Sequence, residues 1–226
     1  MAFKPLPIGI ENFKEIIDKN FYYVDKTLII KELLDSNSKV TLFTRPRRFG
    51  KTLNMSMLQY FFEKRIDING NLEDNSYLFE NTNIKESGEQ YLSHMGQYPV
   101  INLSLKSAKQ PDFNLAYACI RGEISKEFVR HIEVLNDENI LETAKIKFKR
   151  ICDEVGNKED YCKSLQFLCE CLEKYHGKKA IILIDEYDVP LENSYFEGFY
   201  DDMIKFLRSL FESALKTNNS LEFAVL

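Results

Sequence analysis

The stretch Ala180-Ile-Ile-Leu-Ile184, followed by Asp185-Glu186, constrains the fold more than any other. An unbroken apolar run has no polar face. It reads as a strand buried on both sides, as in a parallel sheet covered by helices. Open α/β sheets bind ligands outside the carboxyl ends of such strands. Two adjacent carboxylates at that end can divide two jobs. Asp185 can hold a divalent cation, directly or through water, and Glu186 can orient or deprotonate an attacking water. The plainer use of the same residues is a turn cap by Asp185 and a solvated Glu186.

A second stretch, Ser38 to Thr52, has a matching layout. Val40 to Thr44 predicts a short buried strand, Arg45 to Phe49 a basic loop, and Gly50-Lys51-Thr52 the start of a helix. Strand, loop, Gly-Lys-Thr and helix is the order of a phosphate-binding loop. Backbone N–H groups at a helix N-terminus form a concave donor site for phosphate oxygens. Gly50 permits close approach of the backbone. Lys51 would reach the β- and γ-phosphates, and the Thr52 hydroxyl would ligate Mg²⁺. The general pattern has a glycine where this sequence has Arg45, and Pro46 supplies no N–H. A basic turn capping an amphipathic helix is the alternative for this stretch taken alone. The two motifs lie far apart, each at the end of a predicted buried strand and in the expected chain order. Together they point to a nucleoside triphosphate with Mg²⁺, and the extra glutamate favours water as the nucleophile.

The 226 residues suit one α/β domain with a substantial core. A net charge of −5 argues against a general polyanion-binding surface, so the cluster Arg45, Arg47, Arg48 and Lys51 stands out. Five cysteines fit no zinc spacing and read as buried thiols. Reduced cysteines and the lack of a signal-peptide pattern suggest the cytoplasm. No run approaches the roughly 18 apolar residues of a membrane span.

In chain order, helices are expected over 11–20 and 26–34, with Asp25 placed where it can cap the second and β-prone Phe21-Tyr-Tyr-Val24 between them. The helix over 51–64 carries the stripe Leu53, Met57, Leu58, Phe61 and Phe62. Strands are expected over 99–105, 179–184 and 221–226. Three helices fall over 112–133, 138–154 and 158–175, the last ended by Gly177. A strongly amphipathic helix covers 199–216.

The stretches Phe21-Tyr-Tyr-Val-Asp-Lys-Thr27, Phe43-Thr-Arg-Pro-Arg-Arg-Phe-Gly-Lys-Thr52 and Ile182-Leu-Ile-Asp-Glu-Tyr-Asp-Val-Pro190 resemble the bacterial AAA-ATPase-like family. The resemblance runs from about Leu6 to Leu226. Arg45 looks like the usual residue of that family. The resemblance implies a P-loop NTPase three-layer sandwich with a mostly parallel sheet and a helical insertion at about 112–176, within one module over 1–226. It implies that the strand at 221–226 inserts beside the Asp-Glu strand, between it and the phosphate-loop strand. It also implies a chain truncated after the fourth core strand, which leaves Val40 to Thr44 at a sheet edge. Family members usually carry a PD-(D/E)XK nuclease-like domain after the ATPase module, which makes such a domain an expected partner.

The expected site is therefore Gly50, Lys51 and Thr52 with Phe49, Arg47 and Arg48 on the triphosphate, Thr52 and Asp185 on Mg²⁺, and Glu186 on water. Lys51 and Glu186 form the catalytic pair. Asp25 either contacts the nucleotide or caps a helix. Arg47 and Arg48 neutralise phosphates, face a partner or touch DNA. Arg208 is either an arginine finger for a neighbouring subunit of an oligomer or a solvated residue, and Asp188 either assists the metal or serves the turn before Pro190. Three histidines form no recognisable motif. The expected function is Mg²⁺-dependent ATP binding and hydrolysis that repositions a partner domain. The alternative is a nucleotide-gated switch without turnover. A small-molecule kinase is disfavoured by the Asp-Glu pair.

Overall fold

The apolar run at 180–184, together with Asp185, forms a strand in which all six residues are buried. The structure is a computed structural model that describes residues 4–44, 49–65 and 72–226. It divides into two compact units, Met1–Val100 and Ile101–Leu226. The chain is an α/β protein with parallel strand pairing, as the sequence implies.

The first unit contains α1 (Phe13–Asp18), α2 (Leu28–Ser36), β1 (Val40–Thr41), α3 (Lys51–Phe62) and α4 (Glu89–Leu92). Its core is aromatic. Phe13 packs on Tyr23 and Phe79, and Phe61 packs edge-on against Phe79, with ring centroids 5.2–5.3 Å apart. Such pairs add about 0.5–1.5 kcal/mol each beyond area burial. Ser56 on α3 accepts the Phe13 amide at 3.0 Å, which fixes α1 against α3. Helix α3 stops at Phe62 because Glu63 turns extended and bridges Tyr98 in parallel.

Two expectations are corrected in this unit. The strand expected over 40–44 covers only Val40–Thr41, and Val40 and Leu42 are exposed rather than buried. Phe21 to Val24 forms no strand. The Tyr22 amide donates to the Pro5 carbonyl at 2.8 Å, and Tyr22 and Val24 face solvent. β-branched and aromatic residues form strands only where a neighbouring strand pairs with them. On α3 the buried set includes Asn54 and Met55 in place of Leu53, so its covered face is broader than the single stripe expected.

The second unit opens with β2 (Val100–Ser104), whose first residue lies at the boundary. It continues through α5 (Phe113–Arg130), α6 (Glu142–Cys152), α7 (Lys158–Cys162), α8 (Ser164–His176), β3 (Ala180–Asp185), α9 (Val189–Glu197), α10 (Tyr200–Phe211) and β4 (Leu221–Val225). The strands lie in the order β4-β3-β2. β3 and β4 run parallel, with Ala180 opposite Leu221, Ile182 opposite Ala224 and an irregularity between them. The strand after the Asp-Glu strand is therefore its direct neighbour, as expected. Ala180, Ile182 and Ile184 pack into a core with Ile120, Ile124, Phe148, Leu168, Leu172 and Phe206. Ile181 and Leu183 on the other face are also fully buried, so β3 is covered on both sides.

The helices expected over 112–176 are present, with the third broken at Lys163 into α7 and α8. Gly177 ends α8 in the left-handed region at φ 67°, as its position predicts. Helix α10 ends in a π-helical turn, Glu212–Lys216. Helix α9 was not expected. It is short, and Pro190 sits in its first turn, where a missing N–H costs nothing.

Candidate functional site

In the first unit Gly50, Lys51 and Thr52, which the sequence expects to bind phosphate, sit at the start of α3. Gly50 is the N-cap, with φ 75° and ψ 30°, a conformation that an L side chain rarely adopts. Its carbonyl accepts the first helical bond, from the Asn54 amide at 2.9 Å. Lys51 and Thr52 occupy the first turn, where N–H groups have no helical acceptor. Both are half-buried, and Phe49 beside them is exposed. Among the described residues Lys51 forms no ion pair, so its ammonium is not neutralised by a carboxylate. Arg45, Arg47 and Arg48 lie outside the described residues.

The triplet Asp25-Lys26-Thr27 leads into α2 and contacts Phe49 through Lys26. The Asp25 Oδ1 accepts from the Thr27 amide and hydroxyl, both at 2.8 Å. Its Oδ2 accepts from the Asn83 amide at 2.6 Å. Thr27 is fully buried, is the N-cap position of α2, and accepts from the Ile84 amide at 3.1 Å. Both Asp25 oxygens are thus engaged inside the fold, one of them at the start of α2. Between these two residues, Lys26 reaches out and donates to the Phe49 carbonyl at 3.2 Å. The sequence singled out the Asp-Lys-Thr triplet but not this contact.

In the second unit Asp185 is the last residue of β3 and is 6% exposed. Its carbonyl accepts from the Leu105 amide at 3.0 Å, and its Oδ1 accepts from the Glu186 amide at 3.0 Å. Glu186 has φ 55°, an unusual conformation for a residue with a Cβ. Among the described residues its half-buried carboxylate makes no hydrogen bond or ion pair. A buried acid at a strand end followed by a strained, unpartnered acid is an arrangement common at functional sites. Asp188 precedes α9 without capping it through its side chain, and Arg208 is exposed on α10.

A family model described as Predicted AAA-ATPase matches residues 7–226. The chain belongs to the AAA-ATPase-like family. A curated protein of Azotobacter chroococcum mcd 1, described as an uncharacterized protein in the vnfD 5' region, is 26% identical over 232 residues. That match covers 100% of this chain and 37% of the relative, so the chain spans about a third of the relative's length. No solved structure matches it.

This AAA-ATPase-like chain carries further thiol and polar groups away from these residues. Among the described residues no three His, Cys, Asp or Glu side chains are grouped to hold a metal. No helix of the described residues is long and apolar enough to cross a membrane. All five cysteines are free. Burial pushes the Cys169 and Cys171 thiols up to about 12. One polar cluster escaped the sequence reading. Glu127 on α5 accepts from the Asn102 amide of the edge strand β2 at 2.8 Å and pairs with Arg130. His131 lies 3.4 Å from Glu127 and 3.8 Å from Glu133. Burial opposes the charge on Glu127, but the Arg130 guanidinium and His131 outweigh it and hold the carboxyl at about 2. A lone histidine in a sequence gives no sign of such partners.

Proposed function

We propose that residues 1–226 form a nucleotide-binding module that binds ATP with Mg²⁺ and hydrolyses it. The reading is carried by Gly50 in the left-handed conformation ahead of Lys51 and Thr52 at the start of α3, in a chain of the AAA-ATPase-like family. Asp185 and Glu186 at the end of the buried strand β3 support it.

The residue types fit the ligand. Thr52 offers a hydroxyl in the first turn of a helix, and Asp185 a buried carboxylate; these two would hold Mg²⁺. Bound Mg²⁺ supplies charge neutralisation on the phosphate oxygens. The Lys51 ammonium would neutralise the β- and γ-phosphates, with the first-turn N–H groups and the Gly50 N–H donating to their oxygens. Arg47 and Arg48 would add positive charge along the loop. The unpartnered Glu186 carboxylate would orient the attacking water and take its proton.

In the longer protein that the relative's length suggests, hydrolysis would reposition a further domain, which we take to be nuclease-like. The free thiols support a reducing compartment such as the cytoplasm.

Binding of a fluorescent ATP analogue and steady-state phosphate release test the reading on the parent, Lys51→Ala and Glu186→Gln. Lost binding in Lys51→Ala, with binding kept and release lost in Glu186→Gln, supports an ATPase. Tight binding with no release from the parent, with or without DNA, assigns a nucleotide-gated switch instead. Unchanged affinity in Lys51→Ala refutes the loop assignment.

A further inference from the structure

We propose that Lys26 is a positioning residue of the phosphate loop, which acts by holding the Phe49 carbonyl and so aiming the Gly50 N–H at a phosphate. This inference rests on the nucleotide reading above.

The Phe49 C=O and the Gly50 N–H belong to one planar trans peptide, so they point in opposite directions. Whatever fixes the carbonyl fixes the amide. The Lys26 ammonium sits 3.2 Å from that carbonyl oxygen. It would also lie 3.7 Å from a Cβ at position 50, so it packs directly under the glycine. A carbonyl turned toward a bound phosphate would repel it, and an amide turned toward it would donate. The lysine selects the second arrangement before any ligand arrives. An ammonium is suited to this task because it makes a charge-assisted bond, stronger than a neutral one.

The reach of Lys26 is set by its neighbours. Asp25 and Thr27 are bonded to each other and to the amides of Asn83 and Ile84. The Lys26 amide donates to the Tyr23 hydroxyl at 3.3 Å. The backbone on both sides of Lys26 is therefore held, and its side chain extends from an anchored base. Among the described residues the Lys26 ammonium forms no ion pair. An acid beside it would compete for the carbonyl's donor and would repel a phosphate. The triplet thus works as a bracket, two residues gripping the fold and the middle one gripping the loop.

Four proteins test this: the parent, Lys26→Met, Lys26→Arg and Lys51→Ala, each titrated with a fluorescent ATP analogue and Mg²⁺. Nucleotide-free melting and the amide resonance of Gly50 are recorded for each. Lys26→Met is expected to bind about tenfold more weakly, as loss of the Gly50 N–H bond to a charged phosphate implies once the peptide is no longer held, with the nucleotide-free Gly50 resonance displaced. Lys26→Arg restores affinity to within about threefold, because a donor to the carbonyl is retained. Parental affinity and an unmoved Gly50 resonance in Lys26→Met, alongside lost binding in Lys51→Ala, overturn the role of Lys26 alone. Parental affinity in Lys51→Ala overturns the nucleotide reading and this inference with it. If Lys26→Met does not fold, Lys26→Arg decides. A folded arginine variant with near-parental affinity supports the role, and one that binds tenfold more weakly overturns it.

Discussion

The Glu186 amide donates to the Asp185 Oδ1 at 3.0 Å, and this bond closes a turn in which Glu186 itself is held at φ 55°. One residue thus fixes its neighbour's carboxylate while its own backbone is strained. A left-handed residue with a Cβ costs roughly 1–2 kcal/mol, which glycine largely avoids.

Replacing Glu186 separates strain from chemistry. Glu186→Gly is expected to raise stability by about 1 kcal/mol once the greater freedom of unfolded glycine is subtracted. Glu186→Gln should leave stability within about 0.5 kcal/mol of the parent. With the proposed function, both should abolish phosphate release. Urea unfolding alongside a release assay reads both effects, and a glycine variant that is less stable than the glutamine variant would contradict the strain.

Gly50 and Gly177 form a matched pair. Both are left-handed at helix ends, at φ 75° and 67°. Alanine at either position should cost roughly 1–2 kcal/mol of stability. Only Gly50→Ala should also weaken nucleotide binding, because only Gly50 belongs to the proposed phosphate loop. Equal losses of affinity in both variants would show that the effect is one of general stability.

The bonds of Asp25 and Thr27 predict a stability cost that needs no nucleotide. Asp25→Ala removes the acceptor for three donors, and Thr27→Val removes a buried hydroxyl that both donates and accepts. We expect losses of about 2–3 and 1–2 kcal/mol respectively in ligand-free protein. Urea midpoints measured without ATP check this. Variants that unfold like the parent would return Asp25 to the role of a nucleotide contact.

The buried cluster on α5 predicts two opposite pH trends. Burial alone would lower the pKa of His131, but the Glu127 and Glu133 carboxylates, opposed in part by Arg130, raise it above its ordinary 6.5. A raised folded-state pKa adds stability that is complete below about 6.5 and is lost as pH rises through the folded value. Glu127 behaves in reverse. Its pKa falls from 4.5 to about 2, so its contribution is present above 4.5 and is lost as pH falls toward 2. In unfolding experiments across pH, His131→Gln should remove the alkaline decline and Glu127→Gln part of the acid decline. Glu127→Gln should also cost about 2–3 kcal/mol at neutral pH, because Arg130 and the Asn102 amide lose their charged acceptor. An alkaline decline unchanged in His131→Gln would place its origin elsewhere.

The legible parts of this chain were those whose signal is local. Ala180 to Ile184 declares a doubly covered strand because no polar residue interrupts it. Gly50-Lys51-Thr52 declares a helix start because the glycine conformation and the first-turn donors follow from three consecutive residues. Gly177 marks the end of α8 for the same reason. What the sequence hid depends on partners far along the chain. Tyr22 and Val24 look like strand residues, but the Tyr22 amide bonds to Pro5 and no strand pairs with them. Val40 to Thr44 looks buried from composition, yet burial of a strand is decided by what lies over it. Lys26 is joined to Phe49 and His131 to its two glutamates by tertiary approach, which leaves no period or spacing to read. The short helix α9 was obscured by its proline, since the same residue that breaks a helix interior also begins one.

The thiols of Cys169 and Cys171, sealed in the second unit with pKa values near 12, give this protein a clock of its own. Only thiolates alkylate readily, so at neutral pH these two sulfurs are silent while that unit stays closed. Their labelling rate therefore times how often the Asp185 half of the molecule opens. No foreign reporter need be attached.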